Sequence, residues 1–145
     1  EKINFLDTSF NDFSRFINTN LRAPFFLSKE FAKSAANGNI INILDTKITK
    51  NKSNYFTYLL TKKVLAEFTK MSAVELSPKI RVNGICPGLI LPPEGKDLSY
   101  IENLAKNIPL QKTGSPENIS DAVTFLLENK FITGQILFAD GGEHL

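Results

Sequence analysis

The sequence has very few of the residues that cross-link small proteins or bind metals. Its single cysteine, Cys86, has no partner for an internal disulfide bond, and its single histidine, His144, has no cysteine or histidine companions. We therefore predict neither a disulfide scaffold nor a metal site. No fully apolar run exceeds a few residues, so we expect no membrane span. A lone thiol is typical of a reducing compartment, and we expect the cytoplasm.

Charge of one sign is also lacking. The 145 residues include 17 lysines and arginines against 15 aspartates and glutamates, which gives a net charge of +2. The basic residues are scattered along the chain, so we expect no nucleic-acid partner. Hydrophobic residues make up 42% and charged residues 22%, as in an ordinary globular domain. The sequence also shows no internal repeat, and its length suits one domain.

Helical and strand patterns alternate along the chain, which predicts an α/β domain with a parallel sheet. Short apolar runs rich in β-branched residues predict strands at 39–44, 80–85 and 134–139. Helical spacing with cap and stop residues predicts helices at 55–76, 97–107 and 115–128, and one more that starts at Ser9. We expect Pro24 to kink or interrupt that first helix, which would resume over 31–36.

The long helix at 55–76 needs a buried stripe to hold it on the sheet. Its apolar spacing predicts that this stripe consists of Leu59, Val64, Phe68, Met71 and Val74. We further expect Cys86 to be buried and His144 to be exposed.

Three parallel strands are half of a doubly wound sheet, which has about six strands in its dinucleotide-binding form. We therefore expect residues 1–145 to form a single partial domain. Roughly 90 to 100 residues of further βα units would precede it. The glycine-rich turn that holds a pyrophosphate is not among these residues.

Tyr58 and Lys62 lie four residues apart on the predicted helix and so share a face. A free phenol has a pKa of about 10, and a neighbouring ammonium group lowers it. Such a tyrosine can exchange a proton with a carbonyl oxygen near neutral pH. Asp45 follows one strand and Pro87-Gly88 follows the next, at the sheet edge where ligands bind. Asn20 lies upstream on a helix.

These residues sit within blocks that resemble the short-chain dehydrogenases/reductases. The spacing Tyr58-Leu-Leu-Thr-Lys62 resembles the YxxxK signature of that family. Five further blocks resemble the family in order: NLRAPFFLSKEFA, GNIINILD, RVNGICPG, IPLQKTGSPENISDAVTFLL and TGQILFADGG. The resemblance covers almost the whole chain and corresponds to the carboxyl-terminal half of a Rossmann-type doubly wound sheet.

The resemblance implies a role for each matching residue. Tyr58 would be the general acid/base, and Lys62 would contact the nicotinamide ribose and lower the pKa of the tyrosine. Asn20 would organise water and the lysine. Pro87, Gly88 and Ile90 resemble the segment that meets the nicotinamide carboxamide. The resemblance implies a nicotinamide cofactor, with NADP(H) favoured over NAD(H), and a small-molecule substrate.

Asp45 stands where the family usually has serine. An aspartate at this place is similar to the family members that reduce pterins, so a pterin or folate-type substrate is implied. The alternatives are a 3-oxoacyl carrier-protein reductase and a truncated, catalytically silent remnant that survives as an assembly module. The resemblance also implies a homodimer or homotetramer formed through the helices of 9–36 and 55–76.

Overall fold

The computed structural model describes residues 2–145 and contains a three-stranded parallel sheet. The strands are β1 (Gly38–Ile43), β2 (Ile80–Pro87) and β3 (Ile136–Ala139), in the order β1-β2-β3. Where β1 pairs with β2, Gly38 lies opposite Ile80. Where β2 pairs with β3, Gly84 lies opposite Ile136. The predicted α/β class and the parallel sheet are confirmed, with strand ends shifted by one or two residues.

Within residues 2–145, five α-helices connect and flank the strands, and most begin at the predicted cap. They are α1 (Phe10–Ile17), α2 (Ala23–Ser34), α3 (Phe56–Glu75), α4 (Leu98–Ala105) and α5 (Pro116–Glu128). The Ser9 hydroxyl accepts a hydrogen bond from the backbone N–H of Asp12, and Ser115 forms a reciprocal capping box with Asn118.

Of the two outcomes predicted at Pro24, a kink or an interruption, the interruption is wrong. A π-helical turn, Asn18–Arg22, joins α1 to α2, and the helix continues at Ala23 rather than at position 31. The backbone N–H of Ala23 bonds to the carbonyl of Asn18, five residues back. Pro24 then occupies the first turn of α2, where its missing N–H is tolerated because the wide turn has changed the hydrogen-bond register.

Strand β2 is the most buried strand, and helices cover both of its faces. On one face Cys86 packs with Leu44, Leu65 and Ala66, so α3 lies against this side. On the other face Ile85 packs against Ala122 and Leu126 of α5. The expected burial of Cys86 is confirmed, since the residue is 0% exposed.

The predicted buried stripe of α3 is largely wrong. Val64, Met71 and Val74 are 39%, 71% and 81% exposed. The buried side consists instead of small, polar or leucine side chains: Thr57, Leu59, Thr61, Leu65, Ala66, Thr69, Ser72 and Ala73. Small residues let α3 lie close to the sheet, and their hydroxyls bond within the helix, as Thr69 Oγ1 does to the Leu65 carbonyl at 2.8 Å.

Strand β1 forms an open edge of the sheet. Its other long side has no neighbouring strand among the described residues, and Ile43 is 46% exposed. The side-chain oxygen of Asn39 on this strand is buried without a hydrogen-bond partner. Such an edge is usually paired or covered in native proteins.

Among the described helices, none combines the length and the hydropathy of a transmembrane segment.

The placement of α3 predicts unequal effects of two alanine substitutions. Leu65→Ala removes a side chain that is 3% exposed, and we expect a loss of about 2–5 kcal/mol in the free energy of unfolding. Val74→Ala, on the exposed side, should change it by less than about 0.5 kcal/mol. Urea denaturation measures both values, and an equal loss for the two variants would contradict this orientation of the helix.

Candidate active site

The carboxyl edge of the sheet brings Asp45 and Tyr58 together. Asp45 follows the end of β1, and Tyr58 lies in the first turn of α3. The Tyr58 hydroxyl donates a hydrogen bond to Asp45 Oδ2 at 3.0 Å. A strand end and a helix start thus place a phenol against a carboxylate, in the crevice where open α/β sheets bind ligands.

The other oxygen of Asp45 is held by the backbone. Asp45 caps the 3-10 helix Thr46–Thr49, and its Oδ1 accepts the N–H of Lys47 at 2.8 Å. One carboxylate oxygen is therefore fixed by the following turn while the other faces Tyr58. The side chain is oriented by its own segment before it meets the phenol.

Lys62 lies one turn after Tyr58 on the same face of α3, as the spacing predicts. Its Nζ donates to the carbonyl of Ile43 at 2.8 Å and lies 5.8 Å from the centroid of the Tyr58 ring. Burial lowers the pKa of Lys62, and the nearby charge of Asp45 partly opposes that shift. The ammonium group is thus anchored to the end of β1, beside the phenol.

The spacing to Lys62 predicts a lowered pKa for Tyr58, and in this structure that pKa is raised instead. Burial raises the pKa of the Tyr58 hydroxyl above its ordinary value, and the charge of Asp45 and the hydrogen bond to it act in the same direction. The carboxylate accepts the phenol's proton in a hydrogen bond, which stabilises the protonated form. The Tyr58 hydroxyl is therefore held in its protonated form, as a hydrogen-bond donor to Asp45.

Asn20 reaches α3 but not Lys62. It lies in the π-helical turn, and its Nδ2 donates to Thr61 Oγ1 at 3.0 Å. The Thr61 hydroxyl in turn donates to the carbonyl of Tyr58 at 2.7 Å. The π-helical turn thus brings Asn20 to the helix that bears the phenol, through an intermediary that sequence reasoning missed.

Two further residues near Tyr58 were not predicted. Thr61 is fully buried, and its only sequence signal is its position three residues after the tyrosine. Phe16 of α1 presents its ring edge-on to the Tyr58 ring, with the centroids 6.0 Å apart. Both contacts limit the movement of Tyr58.

Pro87 is the last residue of β2, and Gly88 and Ile90 follow that strand. Pro87 pairs with Ala139, and Gly88 lies so close to Asp140 that a Cβ at position 88 would come within 2.5 Å of the Asp140 Cα. Ile90 helps to line a cavity of about 270 Å³ between this segment, α5 and β3. The lining of that cavity includes neither Tyr58 nor Asp45.

The prediction that His144 is exposed is wrong. Its ring stacks on Phe138, with centroids 4.0 Å apart and planes 22° from parallel, and its side chain is 26% exposed. The ring Nδ1 lies 2.8 Å from Asp140 Oδ2. The described residues contain no group of three or more acidic, cysteine or histidine side chains that could hold a metal ion.

Comparison with known proteins decides the family. Residues 1–144 match a family model described as enoyl-(acyl carrier protein) reductase. The chain belongs to the short-chain dehydrogenase/reductase family. Among curated members of this family, it is 36% identical to pteridine reductase 1 of Leishmania tarentolae, covering 88% of this chain and 48% of that protein. It is 39% identical to human 3-oxoacyl-[acyl-carrier-protein] reductase over 74% of this chain and 46% of that protein.

Solved structures of short-chain dehydrogenases/reductases share the fold of the chain. FolM alternative dihydrofolate reductase 1 from Brucella canis, complexed with NADP, superposes with a TM-score of 0.94 at 30% identity. The match covers 99% of this chain and 59% of that one. The chain spans about half the length of the curated relatives it matches. In length, it therefore corresponds to part of a family member.

The link between Asn20, Thr61 and Tyr58 predicts a sensitive buried position. Thr61→Val keeps the volume but removes the hydroxyl, which leaves the Asn20 amide and the Tyr58 carbonyl without this partner. We expect the free energy of unfolding to fall by about 1–3 kcal/mol. Thr61→Ser keeps the hydroxyl and should cost less. Urea denaturation of both variants tests this, and a valine variant at least as stable as the serine variant would contradict it.

Proposed function

We propose that this chain is the catalytic part of an NAD(P)H-dependent reductase, with Tyr58 as the proton donor. The observation that carries the proposal is the hydrogen bond of 3.0 Å from Tyr58 to Asp45, with the Lys62 ammonium group beside the ring. In this reading residues 1–145 are one partial domain, and βα units outside them supply the glycine-rich pyrophosphate site. The extent of the match, about half of each curated relative, supports that division.

The residues present fit a nicotinamide nucleotide. The Lys62 ammonium group has three N–H donors, and one of them bonds to the Ile43 carbonyl. The others would bind the hydroxyls of the nicotinamide ribose. Gly88 and Ile90 would meet the carboxamide through the backbone. When bound, the reduced cofactor supplies a hydride to the substrate carbon.

The protein's own part in the reaction is to move a proton. Tyr58 is held protonated by burial and by Asp45, which is the form that a reduction needs. As a substrate atom gains negative charge, the phenol turns its hydrogen bond from Asp45 to that atom and gives up the proton. The Lys62 charge stabilises the resulting phenolate, and a proton taken from solvent water and relayed through Asp45 to the Tyr58 oxygen re-forms the phenol. The phenol is then ready for another turnover.

A reduced-pterin or folate-type compound is the substrate class we favour. The carboxylate of Asp45 is a strong acceptor for the amino and ring N–H groups of a pterin, whereas a serine hydroxyl would polarise a ketone. The similarity to pteridine reductase 1 and to FolM dihydrofolate reductase supports this class. We also favour NADP(H) over NAD(H), because two FolM structures that share the fold are NADP complexes.

A 3-oxoacyl thioester is the second candidate substrate. The 39% identity with human 3-oxoacyl-[acyl-carrier-protein] reductase favours it, and Asp45 opposes it. A panel of dihydropterins, dihydrofolate and a 3-oxoacyl thioester, each with NADPH or NADH, separates the classes. We expect the highest kcat/KM with a pterin and NADPH. Absence of turnover with every member would support the catalytically silent remnant instead.

Substitution of the phenol tests the mechanism. In the whole protein, Tyr58→Phe should abolish reduction while the Kd for NADPH, measured by fluorescence titration, changes less than about threefold. The ring and its contacts remain, and only the proton donor is lost. Tyr55→Phe, three residues earlier, is the matched control and should keep normal turnover. Wild-type turnover by Tyr58→Phe would overturn the assignment of the proton donor.

We propose further that the protein forms homodimers or homotetramers through α2 and α3. An apolar groove of about 680 Å³ lies between these helices, lined by Phe25, Phe68 and Met71 among others. The exposed Val64 and Met71 of α3, which the sequence pattern marked as apolar, lie on this groove. A second copy would bury them, because exposed apolar patches of this kind mark interaction sites.

We also propose the cytoplasm as the site of action, and the buried, free thiol of Cys86 fits a reducing compartment.

A charge placed in this groove should prevent association. Met71→Lys places an ammonium group where the residue is 71% exposed in the single chain, and we expect a smaller particle by sedimentation velocity. Leu6→Lys, at a residue 89% exposed outside the groove, is the control and should leave the assembly unchanged. An unchanged assembly in Met71→Lys would contradict the groove as the interface.

A further inference from the structure

The segment Asp140–Leu145, here the 140–145 turn, is fastened to itself by one carboxylate. Asp140 is 7% exposed, and its Oδ1 accepts the N–H of Gly142 at 2.9 Å. Its Oδ2 accepts the backbone N–H of His144 at 2.9 Å and lies 2.8 Å from the ring Nδ1 of the same residue. Since the His144 ring also stacks on Phe138 of β3, the turn is pinned to the sheet.

The outer side of this turn is bonded to the 3-10 helix Thr46–Thr49 and the lysine that follows it. The carbonyl of His144 accepts from Thr49 Oγ1 at 3.4 Å and from Lys50 Nζ at 3.2 Å. Lys50 Nζ also donates to the carbonyl of Leu145 at 3.2 Å. More than 90 residues of chain separate these partners, so the contacts join two distant segments.

The same 3-10 helix orients Asp45. The N–H of Lys47 in its first turn holds Asp45 Oδ1 at 2.8 Å, and this leaves Oδ2 for the Tyr58 hydroxyl. Asp140 at the base of the turn also lies directly against Gly88. The 140–145 turn therefore contacts both segments that we assign to the site: the one after β1 and the one after β2.

We infer that His144 is a positioning residue for the proposed reaction. By closing the 140–145 turn, it presents the carbonyls that hold the 3-10 helix and so keeps Asp45 aimed at Tyr58. This inference rests on the proposed function for its catalytic consequence, while the coupling of the turn to the 3-10 helix stands on the contacts alone. The side chain of His144 touches Phe138 and Asp140 and acts on the site only through them.

Two variants break the connection at different points. His144→Ala removes the ring that closes the turn. Lys50→Met removes the exposed ammonium group that donates to the carbonyls of His144 and Leu145, and it leaves the core unchanged. His144→Asn keeps a nitrogen donor for Asp140 and should rescue part of the effect. Lys52→Met, an exposed lysine two residues farther along the same loop, is the matched control.

The readouts separate coupling from catalysis in the whole protein. Hydrogen exchange followed by mass spectrometry should show amides of residues 46–50 exchanging about tenfold faster in His144→Ala and Lys50→Met than in wild type or Lys52→Met. The kcat for the best substrate should fall about tenfold in His144→Ala and less in His144→Asn, with the Kd for NADPH unchanged. A kcat loss at a temperature well below the Tm of each variant distinguishes positioning from lost stability.

Unchanged exchange at 46–50 in both variants would overturn the inference whether or not the protein is an enzyme. Faster exchange with wild-type kcat would overturn the positioning role. Wild-type protein that turns over no substrate would refute the proposed function and with it the catalytic role of His144. Faster exchange in that inactive protein would still support the coupling of the turn to the 3-10 helix.

Discussion

The hydrogen bond between the Tyr58 hydroxyl and the Asp45 carboxylate is the contact on which the site depends. It joins the end of β1 to the start of α3 at 3.0 Å and keeps the phenol protonated in a half-buried place. Lys62 donates a hydrogen bond to the Ile43 carbonyl and lies beside the Tyr58 ring. In the reaction that we propose, its charge stabilises the phenolate after the proton has left.

The rest of the fold serves to hold these two side chains in place. The central strand β2 is covered on both faces, and α3 lies close to it because the buried side of the helix is small and hydroxyl-bearing. Asn20 and Thr61 bond to one another and to the backbone at Tyr58. Two surfaces have no partner among the described residues: the open edge at β1 and the apolar groove beside α3. The edge fits the proposal that further βα units complete the sheet. The groove fits the proposal that a second copy of the chain packs there.

Patterns of local sequence predicted the elements well, and the carboxyl-edge cluster followed from parallel topology. The sequence predicted that three residues lie close together: Asp45, Tyr58 and Lys62. The prediction was possible because parallel strands end at the same edge of a sheet and residues four apart share one face of a helix. The errors arose where tertiary packing decides. The apolar spacing of α3 identified the wrong face, because the helix buries threonines and alanines against the sheet and leaves Met71 and Val74 outside.

Other features had no local signal. The π-helical turn that carries Asn20 depends on how α1 and α2 fit against α3, and its five residues contain no sequence pattern that predicts it. His144 became half-buried because a turn after β3 folds back onto residues 49 and 50, a contact between distant parts of the chain. The direction of the Tyr58 pKa shift also required the structure, since burial and the Asp45 carboxylate both raise that pKa.

The most direct test of the central claim is a titration of the Tyr58 phenol by NMR, with carbon-13 at the tyrosine Cζ and Tyr58→Phe to assign the signal. Without cofactor, Tyr58 should stay protonated well above the ordinary tyrosine pKa of 10.0, and Asp45→Asn should bring its pKa down. A wild-type Tyr58 that titrates at or below 10.0 and does not respond to Asp45→Asn would contradict the account.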